Sequence, residues 1–169
     1  SGLTSDALIK NLSGRVEMNL ADGAVNGIDL WYELNRAQAL LKQQSLPAGS
    51  DDRRTKFDSL RMSADIVGGV ATTKDLNIAS QYLRVTGGGT TNLITEAIDY
   101  HIVATVFKAP PSSQAADLSQ LTLAGIPVDI SGTTSDPKVR PDLQGLLKSR
   151  LKQKLQDTLQ DKLHGLFGK

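Results

Sequence analysis

Alternating apolar and polar residues mark β-strands along much of the chain. Over residues 15–20 every second residue is apolar, which is typical of a strand with one buried face. The same period returns over residues 57–66, and the alternation that begins at Leu93 and reaches Val106 is the longest. Further strands are predicted at 70–73, 83–87 and 121–130. The chain should therefore form a sheet.

Three segments show helical spacing instead. A short helix is predicted over residues 6–12, and a second from Leu30 to about Gln44, with Asp29 placed to cap its first turn. After Pro141, leucine repeats every four residues, so the apolar row drifts by about 40° per step around the helix. We expect this helix to follow the twisted sheet in preference to adsorbing to a membrane.

Together these patterns predict an α+β fold. A curved, mostly antiparallel β-sheet should be packed by helices and should end in a long amphipathic helix over residues 141–169. The length of 169 residues suits one domain that spans the whole chain, 1–169.

Glycine and proline predict where the strands are interrupted. The triple glycine at residues 87–89 lacks the Gly-Lys-Ser/Thr ending of a phosphate loop, so it indicates a bulge or a tight crossing. Pro127 has no amide hydrogen, which disfavours a fully paired central position. Turns and loops are predicted at 22–23, 45–55, 68–69 and 109–116.

Composition argues against several classes of function. There are 19 basic and 18 acidic residues, so no excess positive charge favours nucleic acid. Cysteine is absent. The two histidines, His101 and His164, are not spaced as in a zinc site, and neither forms an evident nucleophile–base pair. Asp51 and Asp52 lie beside arginines in an unpatterned loop and indicate solvated surface charge. We therefore expect neither an enzyme nor a bound cofactor or metal.

Three blocks of residues suggest a family when they are taken in order. They are residues 23–30, residues 85–89, and residues 126–128 followed by Gly132 and Asp136. In this order they resemble the C-terminal region of the AsmA family, the inner-membrane-anchored envelope proteins of Gram-negative bacteria. The resemblance extends from Leu12 to Leu147.

The resemblance implies a periplasmic segment of a longer protein that is tethered by an N-terminal inner-membrane helix. Members of the family look like bridge-type lipid transporters whose curved sheets form an apolar groove for phospholipid acyl chains. The groove candidates are Val16, Met18, Leu20, Leu60, Met62, Ile66, Ile98, Tyr100, Ile102 and Val106, although the same alternation also defines an ordinary core. The motif residues carried over as structural are Gly23, Gly27, Asp29, Gly87, Gly89, Pro127 and Gly132.

Two functions remain open from the sequence. The leading one is movement of phospholipid between the inner and outer membranes, in support of outer-membrane assembly and envelope integrity. The alternative is a scaffolding domain in outer-membrane protein biogenesis that binds an envelope protein. In either case the membrane would be contacted through the anchor of the full-length protein, and the C-terminal helix is a second candidate contact.

Overall fold

A computed structural model of the chain describes residues 4–49, 51–108 and 123–167, with Phe167 described by its backbone alone. The described residues form three helices, α1 (Ser5–Lys10), α2 (Leu30–Leu41) and α3 (Leu143–Phe167). The same residues form seven strands, β1 (Gly14–Asn26), β2 (Arg54–Val67), β3 (Val70–Ala79), β4 (Leu83–Asn92), β5 (Ile98–Val106), β6 (Gly125–Gly132) and β7 (Pro137–Pro141).

The strands form one open antiparallel sheet whose spatial order follows the chain, from β1 at one edge to β7 at the other. This curved sheet with three helices confirms the predicted α+β class. Strands that are neighbours in the sheet are consecutive along the chain, so the topology contains no crossover.

Helix α2 covers the β4–β7 part of one sheet face. Its Leu30 and Leu34 are 3% and 0% exposed and lie in a core cluster with apolar residues of strands β4 to β7. The Asp29 carboxylate accepts a hydrogen bond from the Tyr32 amide at 3.0 Å, which is the predicted cap. Trp31 packs against the same core.

Strand β1 is longer than its alternation predicts. The predicted turn at Asp22 and Gly23 is wrong, because β1 continues through these residues and pairs with β2 at Ala21 and again at Gly23. Asp22 takes a positive φ of 49° while the strand continues to Asn26. Of the described strands β2 is the longest, with 14 residues, whereas β5, which was predicted to be the longest, has nine.

The triple glycine lies inside β4 and does not end it. A β-carbon on Gly88 would collide with the Thr73 carbonyl of β3, and one on Gly89 would collide with the Asp99 carbonyl of β5. The register of β3 shifts between Thr73 and Leu76, opposite these glycines. The predicted tight crossing is therefore present, and only glycine fits such close backbones.

Pro127 lies in a central strand, although its missing amide hydrogen was expected to disfavour that position. β6 lies between β5 and β7, and the Pro127 carbonyl accepts a hydrogen bond from the Asp142 amide just past β7, at 2.8 Å. Because the amide and carbonyl of one strand residue point to the same side, the missing amide hydrogen faces this side and not β5. The five-residue β7 was not predicted, because it carries proline at both ends.

Helix α3 does not follow the sheet, contrary to our expectation. Leu143 is buried in the core and Leu146 packs against it, but every leucine from Leu147 to Leu166 is more than 40% exposed. None of the described helices has both the length and the apolar content needed to cross a bilayer. The loop predicted at 109–116 and the strand start predicted at Leu121 lie outside the described residues.

Candidate functional site

All ten groove candidates lie on one face of the sheet. The cross-strand register connects Leu20 to Leu60 and continues through one residue of each strand as far as Ile126 in β6. A second row connects Gly14, Ile66 and, across β3 and β4, Ile98. Since side chains alternate between faces, the remaining candidates at even positions of β1, β2 and β5 share this face.

One end of this face is filled by protein. Ile102 and Val106 are 5% and 1% exposed and belong to the core beneath α2, so they have no surface left for a ligand. Ile98 and Tyr100 are half-buried against the same core, and the Tyr100 hydroxyl lies 3.0 Å from the Thr91 hydroxyl. Ile102 and Val106 therefore have the burial of an ordinary core, and Ile98 and Tyr100 pack against its side.

The other end of the face is open. Val16, Met18 and Leu20 of β1 are 48%, 42% and 46% exposed, and Met62 and Ile66 of β2 are half-buried beside them. We call these five residues the open strip. Leu60 and Ala64 are buried between them and form its floor. From Val16 to Leu20 the strip extends for about 13 Å, at about 3.3 Å per residue.

Two apolar residues connect the open strip to the covered core. Leu76 and Ile78 of β3 are half-buried and pack against the core cluster, and Ile78 pairs with Leu60. Neither residue was predicted, because the expected third strand ended at Thr73, where the β3 register shifts. The apolar surface is thus continuous from the helix-covered region to β1.

The opposite face of the same strands is polar. The Arg15 guanidinium contacts the Asp65 carboxylate at 3.3 Å and the Ser63 hydroxyl at 3.0 Å. Ser63 in turn donates hydrogen bonds from its amide and its hydroxyl to the Asp75 carboxylate, both at 2.7 Å, and they lower the pKa of Asp75. Exposure of these polar side chains to water costs little free energy. In β1 the exposed apolar side chains of the open strip therefore lie on one face of the sheet only.

A second polar group lies on that face, at β5 and β6. His101 Nδ1 lies 2.6 Å from an Asp129 carboxylate oxygen, and this contact, with the nearby Asp99 charge, raises the pKa of His101. All three side chains are exposed. In the described part of the chain, no cluster of histidine and carboxylate side chains is arranged to hold a metal ion.

Strand β1 is also the edge of the sheet. Twelve of its 13 residues pair with β2 on one side, and no other strand of the described chain pairs with it on the other. It contains no proline, and its open-strip side chains carry no charge. Such an edge has backbone amide and carbonyl groups available to a further strand.

The motif glycines lie where a side chain would clash or where the backbone has a positive φ. A β-carbon on Gly23 would approach the Phe57 ring to 2.6 Å, while Gly27, Gly87 and Gly132 have φ of 84°, 150° and 90°. These conformations are rare for residues with side chains. With the Asp29 cap and the Pro127 carbonyl contact, the motif residues shape the scaffold and lie outside the open strip.

Comparison with known proteins found no match: no protein-family model, curated protein or solved structure is significantly similar to this chain. The geometry of the open strip and the sequence resemblance are therefore the grounds for a functional proposal.

Proposed function

We propose that this chain is a non-enzymatic segment of a bridge-type lipid transporter in the periplasm of a Gram-negative bacterium. In this proposal it helps to move phospholipid between the inner and outer membranes, and so supports outer-membrane assembly and envelope integrity. The observation that carries the proposal is the open strip, an uncovered apolar surface on the face where the AsmA-like resemblance puts acyl chains.

The shape and chemistry of the strip suit an acyl chain. It is narrow, it lacks charge, and its two methionines, Met18 and Met62, pair directly across β1 and β2. Methionine side chains are flexible and polarizable, so they adapt to apolar ligands of varied conformation. A headgroup could remain in water at the end of the strip while the acyl chain covers Val16 and Leu20.

Native mass spectrometry of the protein purified from a bacterial lysate tests this proposal, with lipids extracted from the same sample and identified. Phospholipid bound in near-stoichiometric amounts is expected. The decisive comparison is with a variant in which Val16, Met18 and Leu20 are replaced by polar residues. Loss of the lipid from that variant supports the open strip as the site, whereas equal lipid in both proteins would contradict it.

The second candidate function, a scaffold that binds an envelope protein, is favoured by the free edge of β1. An extended segment of a partner could add to this edge by backbone hydrogen bonds and cover the open strip with its own apolar side chains. Hydrogen exchange separates the two functions. Strand addition would slow exchange of the outward-pointing amides of β1, whereas an acyl chain offers them no hydrogen-bond acceptor.

A further inference from the structure

Most of helix α3 extends away from the rest of the described chain. Its first turn is fixed, because Leu143 is buried and the Asp142 carboxylate accepts a hydrogen bond from the Gly145 amide at 2.8 Å. From Lys148 to Leu166 the helix continues for about five turns, and every side chain there is exposed except the partly buried Arg150. A helix that gains little from tertiary packing is marginal in water unless something covers its apolar side.

The apolar side of this segment is coherent over its last four turns. At 100° per residue, the leucines at 151, 155, 159, 163 and 166 fall within an arc of about 120°, although the wider row drifts. We call these five residues the leucine arc. Their exposed fractions range from 51% to 76%. Over the whole helix the row of leucines drifts around the axis, which argued against a fixed apolar face. The leucines farthest from the arc, Leu143 and Leu146, belong to the docked first turn and not to the exposed segment.

The charged residues are distributed unevenly around the leucine arc. The segment 147–166 carries five basic and two acidic side chains. Lys152 and Lys162 lie within the arc, about 20° inside its two edges, whereas Asp157 and Asp161 lie on the far side of the helix. The surface around the leucines is therefore basic, with the acidic groups held away from it.

We propose that this segment of α3 lies on the surface of an anionic lipid bilayer, with the leucine arc at the boundary of the acyl chains. Lys152 and Lys162 favour a bilayer, and not a second helix, as the partner of the leucine arc. In a helix–helix interface their ammonium groups would be buried without partners, which is costly. At a bilayer surface their stems cover apolar area while the ammonium groups reach the lipid phosphates. This surface is separate from the open strip, and it does not depend on what that strip binds.

Flotation of the full chain with lipid vesicles tests the assignment. We expect binding to vesicles that contain phosphatidylglycerol and weak binding to pure phosphatidylcholine. The double variant Leu155→Gln and Leu159→Gln keeps good helix formers and should lose at least about tenfold in binding. Binding that is insensitive to this change, or equal for both vesicle types, would overturn the proposal.

A matched pair of variants tests the role of the lysines. Lys152→Gln with Lys162→Gln removes two positive charges beside the leucines, whereas Gln153→Glu with Gln160→Glu makes the same change in net charge on the far side. A basic residue at an anionic surface contributes about fivefold to binding, so the lysine variant should lose about 25-fold and the glutamate variant clearly less. Equal losses would overturn the geometry.

A protein partner for the arc would give a different result. Light scattering of the lipid-free protein should show a monomer, and the double leucine variant should not change its mass. A stable oligomer that dissociates in the leucine variant would overturn the bilayer assignment in favour of helix pairing. Because the substituted residues lie beyond the docked turn, the thermal midpoint of the sheet is expected to be unchanged in every variant.

Discussion

Replacing the exposed apolar residues of β1 by polar ones should abolish binding of apolar ligands while preserving the fold. The informative variant is Val16→Thr, Met18→Gln and Leu20→Thr combined. These side chains are 42–48% exposed. Fully burying such a side chain contributes about 1.5–3 kcal/mol, so covering the exposed part of all three contributes about 2–4 kcal/mol. That corresponds to a loss of about 30- to 800-fold in affinity.

Fluorescence of an environment-sensitive dye provides the assay. The dye should brighten on the natural protein, and a short-chain phospholipid kept below its micelle concentration should displace it. The control is Glu17→Gln with Asn19→Thr, on the opposite face of the same strand. Circular dichroism and the thermal midpoint establish that each variant is folded.

A folded triple variant that binds dye and phospholipid as the natural protein does would show that the open strip is not the binding surface. Equal weakening by the control variant would also contradict the prediction, because the effect would then belong to the strand and not to its apolar face. The two introduced threonines have high strand propensity, so loss of binding is not expected to reflect unfolding.

Three further predictions concern the scaffold. Leu34→Ala, at a fully buried position, should lower the free energy of unfolding by about 2–5 kcal/mol in urea titration, whereas Leu40→Ala on the exposed side of α2 should cost much less. Gly89→Ala should lower the thermal midpoint strongly, because its β-carbon meets β5 backbone, and Gly14→Ala, with open space around it, should not. His101→Gln should reduce stability in acid. The contact with Asp129 raises the pKa of His101 in the folded protein, so the protonated imidazole stabilises the fold below the pKa of about 6.5 that histidine has in the unfolded chain. That contribution is lost as pH rises through the pKa of His101 in the folded protein. Denaturation midpoints of both proteins should therefore converge at alkaline pH; a constant difference would contradict the ion pair.

The alternation of apolar and polar residues was sufficient to predict most of the strands of the sheet. Alternation identifies a strand wherever one face is apolar, and Asp29 marks the start of α2 because its carboxylate caps that helix. The errors arose where tertiary pairing outweighs local preference. Asp22 and Gly23 are typical turn residues, yet pairing with β2 on both sides keeps them within a strand.

The location of the open strip depends on information that alternation does not carry. Val16 and Val106 look alike in sequence, since each is an apolar residue in an alternating segment, but they are 48% and 1% exposed. The difference comes from where α2 docks, which depends on strand order and on the path after β1. Periodicity indicates which face is apolar, and only the tertiary structure indicates which part of that face is covered.

Photo-crosslinking in living bacteria tests directly whether phospholipid contacts the open strip. A benzophenone-bearing amino acid would replace Met18 in the open strip and, as the control, Asn19 on the opposite face. After irradiation, mass spectrometry identifies whatever is attached to each position. The lipid-transport proposal predicts phospholipid adducts at position 18 and few at position 19. Protein adducts alone at position 18, or lipid adducts equally abundant at both positions, would contradict it.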